Sequence, residues 1–86
     1  MNPRLRAGTK LKHDRHTDRW MLIGPERALN LGETARAIVE LCDGTRTEAE
    51  IARELGTRFD APLAKLEEDV ARLLGELRAR CLVEDA

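Results

Sequence analysis

The chain is poor in aromatic residues, in cysteine and in long apolar stretches. Its 86 residues include one Trp, one Phe and no Tyr, so any core must be almost wholly aliphatic. The longest apolar run is residues 20–23, far too short to cross a membrane. The arginine-containing N-terminus lacks the apolar centre of a signal peptide, and two distant cysteines do not form a disulfide framework. These absences predict one small cytoplasmic domain, with no contact with membranes.

Charge is abundant but unevenly distributed. Charged residues make up 36% of the chain, and the net charge is −1, which gives no general attraction to polyanions. Residues 1–27 carry a balance of +4, whereas residues 28–86 carry −5. The two halves either attract each other within one fold or leave the basic segment for an acidic partner.

The first third of the chain has the pattern of short strands. Residues 1–9 are predicted to be a mobile arm, and residues 10–31 a three-stranded antiparallel meander. Its strands cover residues 10–14, 19–23 and 28–31, separated by polar or Gly-Pro turns.

A helix-turn-helix corner follows between residues 40 and 51. Gly44 is expected to close the first helix in a left-handed conformation. Thr47 and Glu50 have the spacing of a capping box at the start of the second helix. Apolar spacing predicts helices over residues 33–42, 48–58 and 62–80. Residues 33–80 therefore form a three-helix bundle, and the fold class is α+β and winged-helix-like, with residues 1–86 as a single domain.

The third strand and third helix form the candidate site. Residues 28–31 contain neither charge nor proline, so this edge of the meander is free to pair with another strand. A leucine-rich helix beside it would complete a groove for an extended peptide. The predicted peptide-binding residues are Ala28, Leu29, Asn30, Leu31, Leu66, Asp69, Val70, Arg72, Leu73 and Leu77, with Asp69 and Arg72 at the rim.

Two other function classes fit the same fold. A winged-helix protein can bind DNA through its third helix, but residues 62–80 carry four basic residues against four acidic ones, so there is no basic stripe. No nucleic-acid partner is therefore expected. A free strand edge can also pair with a second copy of the chain, so a monomer and a homodimer formed by strand or element exchange both remain open.

Metal binding and catalysis have little support. His13, His16, Cys42 and Cys81 are not spaced as a zinc site. Cys42 lies on an apolar helix face, where a buried thiol is the ordinary state. No cofactor, metal or catalytic residue is predicted, and the role of Cys81 is open.

Several short motifs follow one another along nearly the whole chain. They are residues 4–8, residues 19–22, Pro25-Glu26, residues 29–31 leading to residues 33–35, residues 40–47 and residues 77–80. In order and spacing the chain resembles the PqqD family, the peptide chaperones of pyrroloquinoline quinone (PQQ) biosynthesis.

The resemblance implies a function that spacing alone does not. Members of this family bind the leader part of a ribosomally made precursor peptide and present it to a radical S-adenosylmethionine (SAM) enzyme, which joins a Glu and a Tyr side chain. The module is not itself a catalyst, and the family's peptide site is the third strand and third helix. Here these are residues 28–31 and the stripe of Leu66, Val70, Leu73 and Leu77.

The chain departs from the family pattern at two positions. Cys81 stands where such chains often have a helix-ending glycine, which predicts that helix 3 is extended or frayed by about one residue. Gly32 stands where a stronger helix cap is expected, which predicts a looser corner between strand and helix.

Overall fold

A computed structural model describes residues 2–86 as five short strands and three helices. The elements are β1 Pro3–Leu5, β2 Lys10–Asp14, β3 Arg19–Ile23, β4 Ala28–Leu31, α1 Glu33–Glu40, α2 Glu48–Gly56, α3 Leu63–Ala79 and β5 Val83–Asp85. The α+β class, with an antiparallel meander followed by three helices, is confirmed. Each helix ends one or two residues before its predicted limit, and α3 begins one residue later.

The meander has the order β2-β3-β4. Leu22 of β3 pairs with Leu11 on one side and Leu29 on the other, so these side chains share one face of the sheet. Leu22 is fully buried on that face, against the helices. The opposite face carries polar residues such as Lys12 and Asn30, as strand alternation requires.

The prediction of a mobile arm is wrong for residues 3–5, and Met1 lies outside the described residues. Residues 3–5 form β1, which pairs antiparallel with β5, the strand that the sequence did not reveal. Arg4 and Glu84 face each other in this ribbon, with the guanidinium 2.7 Å from the carboxylate. The two ends of the chain are thus joined by backbone pairing that has no local sequence signature.

The helix-turn-helix corner has the predicted start but a different end. Thr47 and Glu50 form the capping box: the Glu50 N–H donates to the Thr47 hydroxyl, and the Thr47 N–H donates to the Glu50 carboxylate. The prediction for Gly44 is only half right. It has a φ of +85°, but α1 already ends at Glu40 with Leu41 as its C-cap, and the Gly44 N–H donates to the Pro3 carbonyl. Gly44 therefore serves to hold β1 against the corner.

Helix α3 ends in a Schellman motif. The Leu82 N–H donates to the Leu77 carbonyl and the Cys81 N–H to the Arg78 carbonyl, which is the paired pattern of that motif. Cys81 takes the left-handed conformation with a φ of 59°, so the helix is neither extended nor frayed. Leu77 and Leu82 are both buried at this end of the core.

The core lies between the inner face of the meander and the helices. All its fully buried members are aliphatic residues or cysteine, as the composition predicts. Arg78 crosses the edge of this core and donates to Glu48 and Asp85, at 2.9 and 2.8 Å, and so joins α2, α3 and β5. The hydrogen bond to Asp85 contributes most to a raised pKa of Arg78. Within residues 2–86, no helix has both the length and the apolar character that a bilayer crossing demands.

Candidate functional site

The outer edge of β4 has backbone groups available for pairing. β4 pairs only with β3 in its sheet, so one side of the strand has no neighbouring strand. The Gly24 N–H donates to the Arg27 carbonyl across the turn. Because hydrogen-bonded and non-hydrogen-bonded pairs alternate in an antiparallel ladder, Leu29 and Leu31 bond to β3, whereas Ala28 and Asn30 direct their backbone groups outward.

A cleft of about 290 Å³ opens beside the end of β4, between α1 and α3. Its lining residues are Thr34, Ala35, Ile38, Asp69, Arg72, Leu73 and Glu76. Thr34 and Ala35 belong to the first turn of α1, three and four residues after β4 ends. The half-buried Leu29, Leu31 and Leu73 all pack on the margin of the core. The cleft therefore begins a few residues beyond the strand edge along the chain, and both have apolar side chains.

Helix α3 presents two adjacent stripes to the rest of the molecule. The buried stripe consists of Leu66, Val70, Leu74 and Leu77. The cleft stripe consists of Asp69, Arg72, Leu73 and Glu76, which are spaced i, i+3, i+4, i+7 and so share one helix face.

Three of the predicted peptide-binding residues are buried. Leu66, Val70 and Leu77 are 2%, 1% and 1% exposed, so they support the helix from inside the core. A peptide in the cleft would not reach them. Leu73, Asp69 and Arg72 do line the cleft.

Ion pairs hold part of the cleft rim in place. Arg72 lies 3.2 Å from Glu68 and 3.4 Å from Asp69, and Lys65 lies 3.6 Å from Asp69. Such exposed helix pairs contribute a few tenths of a kcal/mol each, so they orient the rim more than they stabilise the fold. Glu76 forms no ion pair with any of residues 2–86, and it leaves the rim with an uncompensated negative charge.

Sequence reasoning missed four cleft residues: Thr34, Ala35, Ile38 and Glu76. Ile38 is buried in the core while also forming the cleft floor. The available signal was the position of Glu76, one helical turn after Leu73 on the same face as Asp69. Gly32 is the N-cap of α1 and has no side chain to form a capping hydrogen bond, and the looser corner stays a prediction.

Trp20 lies on the inner sheet face opposite Leu31 of β4. Its ring is 4.8 Å from the His13 ring, and the Arg36 guanidinium sits 4.9 Å above it. This half-buried indole is a sheet-face anchor, and it lies one strand away from the open edge.

Neither thiol belongs to a metal cluster. Burial raises the pKa of Cys42 to about 12, so its thiol stays protonated and donates to the Ile38 carbonyl at 3.3 Å. Cys81 is exposed at the far end of α3. In the part of the chain that the structure describes, no three His, Cys, Asp or Glu side chains converge as metal ligands would.

An open strand edge beside an apolar cleft, on a small α+β scaffold, is the arrangement of a binding module. Comparisons with known proteins specify the family. The family model described as Coenzyme PQQ synthesis protein D (PqqD) matches residues 19–83. A protein of Xanthomonas oryzae pv. oryzae described as PqqA binding protein is 46% identical over 81 residues, covering 94% of this chain and 88% of that protein. The chain belongs to the PqqD family.

Solved structures agree with this assignment. The PqqD part of PqqCD from Methylobacterium extorquens, described as a stand-alone recognition element for ribosomally synthesised and modified peptides (RiPPs), has a TM-score of 0.82 at 35% identity and covers 95% of this chain and 87% of that one. PqqD from Xanthomonas campestris has a TM-score of 0.61 at 40% identity, covering 93% and 89%. Lasso peptide synthetase B1, solved with a leader peptide, has a TM-score of 0.81 over 98% of this chain and 99% of that one. At 20% identity it shows only that the fold is shared.

Proposed function

We propose that this protein binds the PQQ precursor peptide, PqqA, as an added strand on β4 and presents it to the radical SAM enzyme that cross-links its Glu and Tyr. The chain itself acts as a recognition element and not as a catalyst. The curated relatives are described as PqqA binding proteins, and the Methylobacterium extorquens relative as a RiPP recognition element. Both descriptions support a role in handling a precursor peptide.

The observation that carries the proposal is the edge of β4. Ala28 and Asn30 offer outward backbone groups in a segment without charge or proline. A guest strand gains main-chain hydrogen bonds there, and its inward side chains meet Leu29 and Leu31. Because the host strand is already ordered by β3, only the peptide loses conformational freedom on binding.

The cleft supplies selectivity for side chains. Leu73 and Ala35 give it an apolar wall, while Asp69, Arg72 and Glu76 give it a charged rim. An apolar side chain of the peptide that follows β4 toward α1 would enter here. We assign recognition to Ala28, Leu29, Asn30 and Leu31 and to the cleft stripe, and we assign only a supporting role to Leu66, Val70 and Leu77.

The exposed side of α3 favours peptide over nucleic acid. Glu67, Glu68 and Glu76 are exposed along it, and Arg72 is paired with acids of the same helix. Phosphate binding needs unpaired basic residues on such a face.

A single proline tests the strand-addition step. Synthetic Xanthomonas oryzae PqqA is titrated into the protein by isothermal calorimetry, with Trp20 fluorescence as a second readout. Asn30→Pro removes the outward N–H but no bond to β3, so we expect at least a tenfold weaker affinity with the fold retained. Asn30→Ala, which keeps the N–H, is the matched control and should bind within about threefold of the wild type.

Presentation is tested in a reconstituted reaction. With the radical SAM enzyme and PqqA, the wild type and Asn30→Ala should support formation of the Glu–Tyr cross-link, and Asn30→Pro should support much less. Equal binding by all three proteins would show that the peptide does not add to β4. If Asn30→Pro binds PqqA more weakly but supports as much cross-link formation as the wild type, the presentation step alone is rejected.

A further inference from the structure

A second cavity, of about 380 Å³, lies at the other end of β4. The turn between β3 and β4, the segment between β1 and β2, and the end of α3 enclose it together. Three arginines, Arg6, Arg27 and Arg80, line it, and Glu26 is its one acidic side chain. We call this cavity the basic pocket.

The arginines of the basic pocket are incompletely paired. Arg6 reaches Glu84 at 3.6 Å, but Glu84 is held more closely by Arg4. Neither Arg27 nor Arg80 forms an ion pair with a carboxylate of residues 2–86. Against three guanidinium groups, the Glu26 carboxylate and the weak negative end of α3 leave a positive balance.

A buried hydroxyl adds a second sign of an unfilled polar site. Thr9 lines the same cavity and is only 9% exposed. Its Oγ1 has no hydrogen-bond partner among the described residues. Buried hydroxyls in folded proteins are normally satisfied, so this one stands out.

The two cavities define a direction along the candidate site. Arg27 directly precedes β4, and Arg80 caps the end of α3. At the opposite end, the cleft joins Thr34, just after β4, to residues 69–76 of α3. Strand and helix therefore run in opposite senses, with the cleft at one end and the basic pocket at the other. β4 spans about 13 Å, so a peptide paired with it reaches both.

We propose that the basic pocket binds the carboxylate of an Asp or Glu residue in the peptide that pairs with β4. This inference rests on the proposed function and adds a recognition element to it. Guanidinium groups bind carboxylates through paired N–H donors, which gives the contact directional preference as well as charge. An apolar residue in the cleft and an acidic residue in the basic pocket, about one β4 length apart, would together fix the register of the peptide.

Replacing the two unpaired arginines tests the inference. Arg27→Gln/Arg80→Gln is titrated with synthetic Xanthomonas oryzae PqqA, with Arg53→Gln/Arg58→Gln, at two exposed positions in and just after α2, as a charge-matched control. We expect about three- to tenfold weaker binding for the double variant, as is usual for charge pairs at partly exposed positions. The control should change affinity by less than twofold, and the difference should shrink at high salt because screening weakens exposed pairs.

Peptide variants identify the source of the carboxylate. Each Asp and Glu of PqqA is replaced in turn by Asn or Gln and tested against both proteins. One replacement should weaken binding to the wild type and have no further effect on Arg27→Gln/Arg80→Gln, which is the coupling expected of a direct pair.

The outcomes separate this inference from the function on which it rests. If Asn30→Pro weakens binding but the double variant and every peptide replacement bind unchanged, the inference is wrong and strand addition stands. If Asn30→Pro has no effect either, both are wrong. A double variant that binds PqqA normally but loses cross-linking with the enzyme would assign the pocket to the enzyme's surface, and it would overturn the inference as stated.

Discussion

The two edges of the meander differ in charge and in what lies beside them. β2 has the sequence Lys-Leu-Lys-His-Asp, whereas β4 has Ala-Leu-Asn-Leu. Charged side chains, lysine above all, disfavour the addition of another strand to an edge. β4 also lies between the two cavities: the basic pocket at its start, formed with the end of α3, and the cleft just after its end, formed with residues 69–76 of α3. One sheet can therefore keep one edge closed and leave the other available to a guest.

The same contrast appears within α3. Leu74 and Leu73 are neighbours in sequence, yet Leu74 is 0% exposed and Leu73 lines the cleft. A rotation of about 100° between successive residues separates stability from recognition on one helix. The closed side of the molecule is then the part that folding depends on, and the open side is the part that is free to bind.

The largest expected effect comes from replacing Leu74 and Leu73, each in a separate variant, by alanine. Leu74→Ala should lower the free energy of unfolding by about 2–5 kcal/mol, since it leaves a cavity in the core. Leu73→Ala should cost less than about 1.5 kcal/mol and should weaken PqqA binding instead. Urea unfolding followed by circular dichroism measures the free energy of unfolding of both variants. Equal losses of stability would show that the cleft face is ordinary core.

An intermediate effect is expected at the end of α3. Cys81 has a φ of 59°, a conformation that glycine adopts without steric cost. Cys81→Gly should raise the free energy of unfolding by about 1 kcal/mol, because it relieves this strain inside an intact Schellman motif. Cys81→Ala, which keeps the Cβ atom, is the matched control. If Cys81→Gly is no more stable than Cys81→Ala, the left-handed conformation of Cys81 does not strain the backbone.

A smaller effect tests the closed edge directly. In Lys10→Thr/Lys12→Thr the two lysines of β2 are replaced by a good strand former, so β2 becomes more like β4. We expect self-association at a several-fold lower protein concentration, measured by sedimentation velocity. Arg53→Thr/Arg58→Thr, with Arg53 in α2 and Arg58 just after it, removes the same charge away from the sheet and should self-associate no more than the wild type. If both variants self-associate alike, net charge and not the edge is responsible.

The smallest expected effect is the loss of folding stability at low pH. Side-chain and backbone hydrogen bonds from Thr45 lower the pKa of Asp43 below 3.8, and bonds from Thr47 lower the pKa of Glu50 below 4.5. Because both pKa values are depressed in the folded state, their contribution is complete above about pH 4.5 and is lost as the pH falls through the lowered values.

Thermal unfolding between pH 7 and pH 3 should therefore show a modest loss of stability at the helix-turn-helix corner. Glu50→Gln keeps the capping bond without a titrating group, so its stability should depend less on pH in this range. A variant with the full wild-type acid response would show that other carboxylates are responsible.

Much of the fold could be predicted from the sequence, because the signals for these strands and helices are local. Strand alternation and turn residues located β2, β3 and β4 to the residue, and the Thr47-Glu50 spacing located the start of α2. The pairing of β1 with β5 could not be predicted, since it joins residues about 80 positions apart by backbone bonds. The burial of Leu66, Val70 and Leu77 could not be predicted, because two adjacent stripes of α3 look alike in the sequence until packing against α2 and the rest of the core buries one of them.

Amide hydrogen exchange with and without Xanthomonas oryzae PqqA tests the central claim, that β4 is the edge that takes the peptide. On binding, the outward amides of Ala28 and Asn30 should become protected, while those of Leu11 and His13 on the free side of β2 should exchange as before. Protection at β2, or unchanged exchange at Ala28 and Asn30 in a saturated complex, would contradict the account.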